Sequence, residues 1–417
     1  MMELKQTTPI CRTADETGTC PPNLCYVYFL TAFVSIGAML FGYAENNWVT
    51  GAVVSLYDIG CLVGAMSIGY LADRYGRGRM LTIASVVFVT GAVGQSASYN
   101  ITAITLGRVI LGYGVSTCAG SVPLYVSEIA PAKLRGRIIG IEQMILCLGE
   151  LATFWLDYGF NYLETPGWCR IPLAIQVLPA ILLGIEVLAR HHGDDSANLQ
   201  MAEIADEVAF EKAVATATWQ DMFKRPVLRV TLLGMGVQFF QQIAGTNSIL
   251  YYTRGGITDP KLANLATGGI GIVLFVSAWV PMFVFDRLGR KTRLQIGLVG
   301  MCCAMIGIAV PHWGVGSWTY ATEISPAMYR AKGNALSTAS LWLSCYTVAQ
   351  AGPPIATAIG RGLYIIYPGI CVFAFLFVRY AMVETKGKTL EEMSARSGMD
   401  VNSKRVVAEY DEVVRDA

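Results

Sequence analysis

Asp73-Arg74-Tyr75-Gly76-Arg77-Gly78-Arg79 has a near-copy further along the chain, Asp286-Arg287-Leu288-Gly289-Arg290-Lys291-Thr292-Arg293. Each copy is short and strongly charged, follows a long apolar run (60–72 and 268–285) and precedes another. Each therefore reads as a turn between two hydrophobic segments. A second pair lies downstream: Ser127-Glu128-Ile129-Ala130-Pro131 with Arg135, and Thr322-Glu323-Ile324-Ser325-Pro326 with Arg330. Two different motifs in the same order indicate an internal duplication, so the chain reads as two related halves.

Composition places those halves in a membrane. Of 417 residues, 54% are hydrophobic and 15% charged, with a mean hydropathy of +0.47, far from the balance of a soluble domain. The net charge of +1 gives no footing for a nucleic-acid partner. Most of the eleven cysteines sit in apolar runs, as small buried thiols do. Cys11, Cys20 and Cys25 lack metal spacing, so no metal or cofactor is expected. There is no phosphate loop, no nucleophile elbow and no zinc spacing among His191, His192 and His312, which argues against an enzyme.

Residues 1–25 are polar, carry no signal-peptide pattern and read as a cytoplasmic tail. Apolar segments follow at about 26–47, 50–72, 80–98, 101–127, 138–162, 171–189, 227–253, 265–285, 294–312, 313–325, 333–359 and 362–383. Most approach or exceed the ~20 residues that a helix needs to cross ~30 Å of hydrocarbon. Arg and Lys gather in alternate connections (74–79, 133–137, 212–229, 287–293, 330–332, 386–388), which puts those connections and both termini in the cytoplasm. The expected organisation is a tail (1–25), an N-terminal transmembrane bundle (26–189), a cytoplasmic linker (190–226), a C-terminal bundle (227–383) and a second tail (384–417). Asp73 to Glu128 spans 55 positions but Asp286 to Glu323 only 37, so the ninth/tenth helical hairpin is expected to be shortened.

Together these stretches resemble the sugar porters of the major facilitator superfamily, especially the fungal hexose-type members. The resemblance is carried by Phe41-Gly42-Tyr43, both charged turns, Gly107-Arg108, Pro123-Leu124-Tyr125-Val126-Ser127-Glu128, Arg135-Gly136-Arg137 and Gln143 in the first half. In the second it is carried by Gln241-Gln242-Ile243-Ala244-Gly245-Thr246-Asn247, Trp318-Thr319-Tyr320 and Glu384-Thr385-Lys386-Gly387. It implies an all-α membrane protein of the major facilitator fold, with two pseudo-symmetric helical bundles and nominally 12 transmembrane helices. The implied function is a carrier that moves a hexose-like monosaccharide by alternating access, as facilitator or proton symporter. Its partners would be the sugar, protons as candidate co-substrate and the bilayer, the chain being a monomer in the plasma membrane. The alternatives are a transport-inactive sugar receptor of the same fold, or a non-functional relative.

A sugar offers many hydroxyls and an apolar ring face, which call for bidentate amides and an aromatic platform. Gln241, Gln242 and Asn247 supply amides on one apolar helix, though helix-to-helix hydrogen bonding is the alternative use for them. The resemblance adds Gln143 from the other half and Trp318 as platform. It also implies a cytoplasmic gate of ion pairs from Asp73, Arg74, Arg77, Glu128 and Arg135, with Asp286, Arg287, Arg290, Glu323 and Arg330. The alternative for these charges is simple retention of the loops in the cytoplasm.

In proton-coupled relatives the equivalent of Arg108 pairs with an aspartate after Phe-Gly-Tyr, where this chain has Ala44. Arg108 thus lacks its usual partner, and the adjacent Glu45 becomes the substitute candidate for proton coupling. Glu142, Glu150 and Asp157 share roughly one face of another helix, either water-lined or packed. Asn100-Ile101-Thr102 is a formal glycosylation acceptor in a very short connection.

Overall fold

A computed structural model describes residues 47–129, 135–160, 175, 177, 218–244, 260–284, 290–304, 310–325, 329–359 and 363–385. Among these, the regular elements are all helical, as backbone in hydrocarbon must be when no water can satisfy it. Helix α1 (Asn47–Ser96) runs through the first charged turn, where Gly76 breaks it with φ 74° and ψ 165°. That left-handed φ favours glycine. Helix α2 (Ile101–Ile129) is capped by Asn100, whose Oδ1 accepts the Ala103 N–H at 2.9 Å. The formal glycosylation acceptor is thus an N-cap. Helix α3 (Arg135–Phe160) follows.

In the second half a short 3-10 helix, Trp219–Phe223, leads into α4 (Arg225–Ile243), α5 (Pro260–Val284), α6 (Arg290–Ala304), α7 (Val310–Glu323), α8 (Arg330–Ile359) and α9 (Leu363–Tyr380). The linker expected to reach residue 226 ends sooner, because Arg225 and Pro226 already belong to α4. Proline's fixed φ and missing N–H suit a first helical turn. Helices α6 and α7 are 15 and 14 residues long.

Ser55–Gly76, Arg79–Ser96 and Ile101–Leu124 are long and apolar enough to cross a membrane, at 22, 18 and 24 residues. Val63, Val86, Leu106, Val276 and Phe373 each expose more than half their surface. In water such side chains would invite aggregation; against lipid they form an ordinary outer face.

The arms of α1 grip α2 through glycine. A Cβ on Gly60 would lie 2.1 Å from the Val109 carbonyl oxygen, and one on Gly64 would lie 2.5 Å from that of Tyr113. Gly60 and Gly64 are one turn apart, the small-xxx-small spacing that lets membrane helices meet backbone to backbone. This contact sets the neighbouring side chains of α1 against α2.

The segment after α9 ties together one end of the C-terminal half. Val383 N–H donates to the Tyr320 hydroxyl at 3.2 Å, Lys291 N–H to Glu384 Oε2 at 3.0 Å, and the Thr385 hydroxyl to Glu323 Oε2 at 2.7 Å. Glu384 therefore places its charge at the N-terminus of α6, where the helix dipole favours an anion.

The halves meet along two seams, α1 against α8 and α3 against α5. The first arm of α1 and helix α5 each precede a charged turn, while α3 and α8 each begin at the arginine of the second motif. The duplication therefore makes the two seams equivalent by descent.

Candidate functional site

Helix α4 carries Gln238, Gln241 and Gln242 at spacings of three and four, which brings them to one face. All three are buried. The hydroxyl of Ser317 on α7 donates to Gln241 Oε1, and half-buried Trp318 follows Ser317 directly. Structure thus brings Gln241 beside the segment that holds the expected platform. Gln143, half-buried on α3, hydrogen-bonds the Cys147 thiol one turn on. Asn247 lies outside the described residues.

Gln238 was missed by sequence reasoning, although its spacing to Gln241 and Gln242 was a usable signal. Neither its Oε1 nor its Nε2 has a hydrogen-bond partner among the described residues. A buried amide left in that state costs stability unless something else bonds it, so α4 presents unused donor and acceptor capacity to a polar ligand. Trp342 of α8, another indole whose Nε1 is unpartnered among the described residues, meets Tyr57 of α1 edge to face at 6.1 Å.

Arg108, for which the sequence places Ala44 where the usual aspartate would stand, is buried on α2. Its positive charge acts on Asp58 of α1, which is buried and also hydrogen-bonded by the thiol of Cys345 on α8. The glycine contact between α1 and α2 brings the two backbones together here, with Gly60 against Val109, the residue next to Arg108. Sequence reasoning scanned for a carboxylate near Ala44 and passed over one inside the 50–72 run. A lone aspartate in an apolar segment was itself a signal. Glu45 lies outside the described residues.

Beside the first charged turn, at the end of the same seam, Lys332 of α8 forms an ion pair with Asp73 of α1 across the halves. Lys332 was not in the expected gate. Its ammonium also stands 5.9 Å from the ring centre of Trp219, whose benzo edge, like the Lys332 stem, approaches Gly69 of α1. The tryptophan before α4 thus bridges the boundary, and Asn334 Nδ2 donates across it to the Gly120 carbonyl at 2.7 Å.

Other members of the expected gate are placed differently. Arg74 turns along its own helix, donating to the Tyr70 hydroxyl and stacking on Tyr70 and Tyr75 at 5.6 Å. The residue is exposed. Buried Glu323 is engaged by Thr385 within its own half, and Arg330 is buried at the start of α8. Arg77 lies just past the Gly76 break, Glu128 at the end of α2, and Arg135 and Arg290 open α3 and α6. Asp286 and Arg287 lie outside the described residues. Beside Trp219, Asp221 accepts from Thr218 N–H at 2.8 Å and from its hydroxyl at 2.6 Å, and pairs with Lys224 at 2.5 Å. Lys224 first, then Thr218, holds this carboxyl well below the usual carboxylate range.

The family described as "Sugar (and other) transporter" matches residues 26–186, 184–317 and 310–396. The chain is a member of that family. It is accordingly a membrane transport protein rather than an enzyme. Among similar proteins, the MFS glucose transporter mfs1 of Aspergillus flavus is 27% identical over 473 residues, covering 88% of this chain and 89% of the relative. The D-xylose transporter of Levilactobacillus brevis is 26% identical, covering 89% and 95%. The high-affinity glucose transporter of Kluyveromyces lactis is 27% identical, covering 89% and 85%. Among solved structures, the proton:xylose symporter XylE bound to 6-bromo-6-deoxy-D-glucose superposes with a TM-score of 0.69 at 23% identity, over 89% of this transporter and 96% of that chain. This likeness shows the major facilitator fold.

Proposed function

We propose that this transporter moves a hexose-like monosaccharide across a membrane by alternating access. The observation that carries the reading is the buried amide face of α4, with Gln241 tied to the serine that precedes Trp318 and the Gln238 amide without a hydrogen-bond partner among the described residues. Amides of that kind, beside an indole, suit hydroxyls and a ring face better than they suit an apolar or a charged substrate. Relatives described as glucose and xylose transporters support the sugar. In this reading Gln143, Gln241, Gln242, Asn247 and Trp318 contact the sugar between two bundles (26–189 and 227–383) that rock about it. The basic connections keep both termini cytoplasmic, and the protein works as a monomer in the plasma membrane.

The test is labelled glucose uptake in a yeast strain stripped of its own hexose carriers, with delivery of the tagged chain verified at the surface. The reading expects saturable uptake, and about a tenfold weaker apparent affinity for Gln241→Ala, the cost of leaving a bound hydroxyl unpaired. No uptake of glucose, galactose, fructose or xylose by correctly delivered protein would sink it.

A further inference from the structure

A carboxylate buried at membrane depth is expensive, and its presence asks for a use. Asp58 is 3% exposed and sits on α1 where that helix meets both α2 and α8. Three elements surround it. From α2 comes the charge of Arg108, and from α8, across the boundary between the halves, comes the hydrogen bond of the Cys345 thiol. Its titratable neighbours on α1 itself are Tyr57 and Cys61. Asp58 Oδ2 accepts no hydrogen bond among the described residues. One carboxylate oxygen therefore has no hydrogen bond from the described residues while the Arg108 charge acts on the group, a state that a proton on the carboxyl would relieve at the expense of that attraction.

Position gives that proton something to do. Asp58 lies 18 positions before Gly76, ~27 Å along the helix from the charged turn, and so in the outer half of α1. Two contacts across the same seam flank it: the Ser55 hydroxyl donates to Gln350 Oε1 at 2.6 Å, and Tyr57 meets Trp342. Parting the outer ends of α1 and α8 would break both, and would strip Cys345 from Asp58 in the same movement. An acid whose surroundings change with the bundles binds its proton with an affinity that depends on their position. By linkage, the bound proton biases that position equally.

We propose that Asp58 is the proton-binding site of this transporter. Its carboxylate takes a proton when the outer ends of α1 and α8 part, carries it as the neutral acid while the seam closes, and releases it toward the inner side, where Arg108 again pairs with the anion. One proton crosses per cycle, and the Asp58–Arg108 pair alternates between net charges of zero and +1. The carboxylate is thus on α1, 14 positions beyond Ala44, rather than at Ala44 or Glu45. The proposal rests on the carrier reading for its cargo.

Purified full-length protein in proteoliposomes, given labelled glucose and an imposed pH gradient, provides the test alongside gradient-free counterflow. Wild-type protein is expected to accumulate glucose above equilibrium, and a protonophore to abolish the accumulation. Asp58→Asn should lose accumulation about tenfold or more while its counterflow stays of wild-type order, a span that coupling free energies between sites command. Asp58→Glu should keep accumulation. Unchanged accumulation in Asp58→Asn overturns the proposal, and so does wild-type uptake that never exceeds equilibrium; both leave the sugar carrier standing. If wild-type protein exchanges no sugar, the carrier reading falls, and an infrared pH titration of purified wild type and Asp58→Asn decides the proton site alone. A protonated-carboxyl band that grows as pH falls and is missing from the variant supports it, whether or not that variant transports. Identical titrations overturn it.

Discussion

Along the α1–α8 seam, polar contacts recur from Ser55–Gln350 at the end far from the charged turn, through Asp58–Cys345, to Asp73–Lys332 beside that turn. Among the described residues, contacts of the α3–α5 seam include apolar ones, with Gly268 against the Trp155 ring and Gly271 against Phe154 and Leu151. Both seams descend from the same pair of ancestral helices, so the difference was acquired after duplication. Hydrogen bonds and ion pairs weaken steeply once geometry is lost, whereas apolar contact is non-directional and survives sliding. The polar seam behaves as a row of catches that are open or shut. The apolar seam behaves as a bearing.

The largest expected effect strikes the bearing. A Cβ on Gly271 would already lie 2.7 Å from Phe154 Cδ2. Gly271→Leu should therefore cost about 1–3 kcal/mol as overpacking and lower uptake by roughly tenfold at equal surface density. Gly268→Ala is the control, since its Cβ would meet the Trp155 ring at an ordinary 3.5 Å. It should change uptake less than about twofold, the range of benign surface substitutions. Equal damage from both would show that the seam is no bearing.

A smaller effect is expected at the inner catch. Asp73 keeps 31% of its side-chain surface exposed, so solvent screens its pair with Lys332. Lys332→Ala should then cost the closed inner end about 1 kcal/mol, a roughly fivefold shift in population. Site-resolved maleimide labelling of a cysteine at buried Ala335 reads that shift directly. Labelling no faster than in the Lys332 parent would remove this pair from the row of catches.

The smallest effect concerns pH. Asp221 is depressed below the usual carboxylate range, by Lys224 first and Thr218 second. A lowered carboxyl contributes its anchoring at all pH values above its unfolded range and loses it only as pH falls through the lowered value. Between about pH 5 and pH 8 it does not titrate. Asp221→Asn should thus leave the shape of the uptake–pH profile unchanged, and a flattened profile would transfer the pH response from α1 to the linker.

Much of this architecture was legible in advance. The duplicated charged turns announced two halves, apolar lengths announced helices, and the spacing of Gln241 and Gln242 announced a buried amide face. The seams were not legible, because they join residues far apart in sequence: Ser55 and Gln350 are 295 positions apart, and Asp73 and Lys332 are 259. Local periodicity marks a helix face as buried but does not name what it is buried against. Asp58, Lys332 and Trp219 were overlooked for that reason. Arg74 is a different case, since its guanidinium hydrogen-bonds Tyr70 one turn back on the same helix, a local contact that the sequence did allow.

The staple after α9 has a consequence for biosynthesis. Glu384 caps α6 across 93 positions, and Thr385 reaches Glu323 across 62. At roughly 5–20 residues per second, a ribosome needs on the order of 5–20 seconds to travel from Lys291 to Glu384. For that interval α6 is in the membrane with its N-terminal amides uncapped, and the nascent chain has no means of sealing the inner end of its second half. A quality-control factor that reads open helix ends would meet this protein in that window, and a nonsense mutation just before Val383 would hold it there permanently.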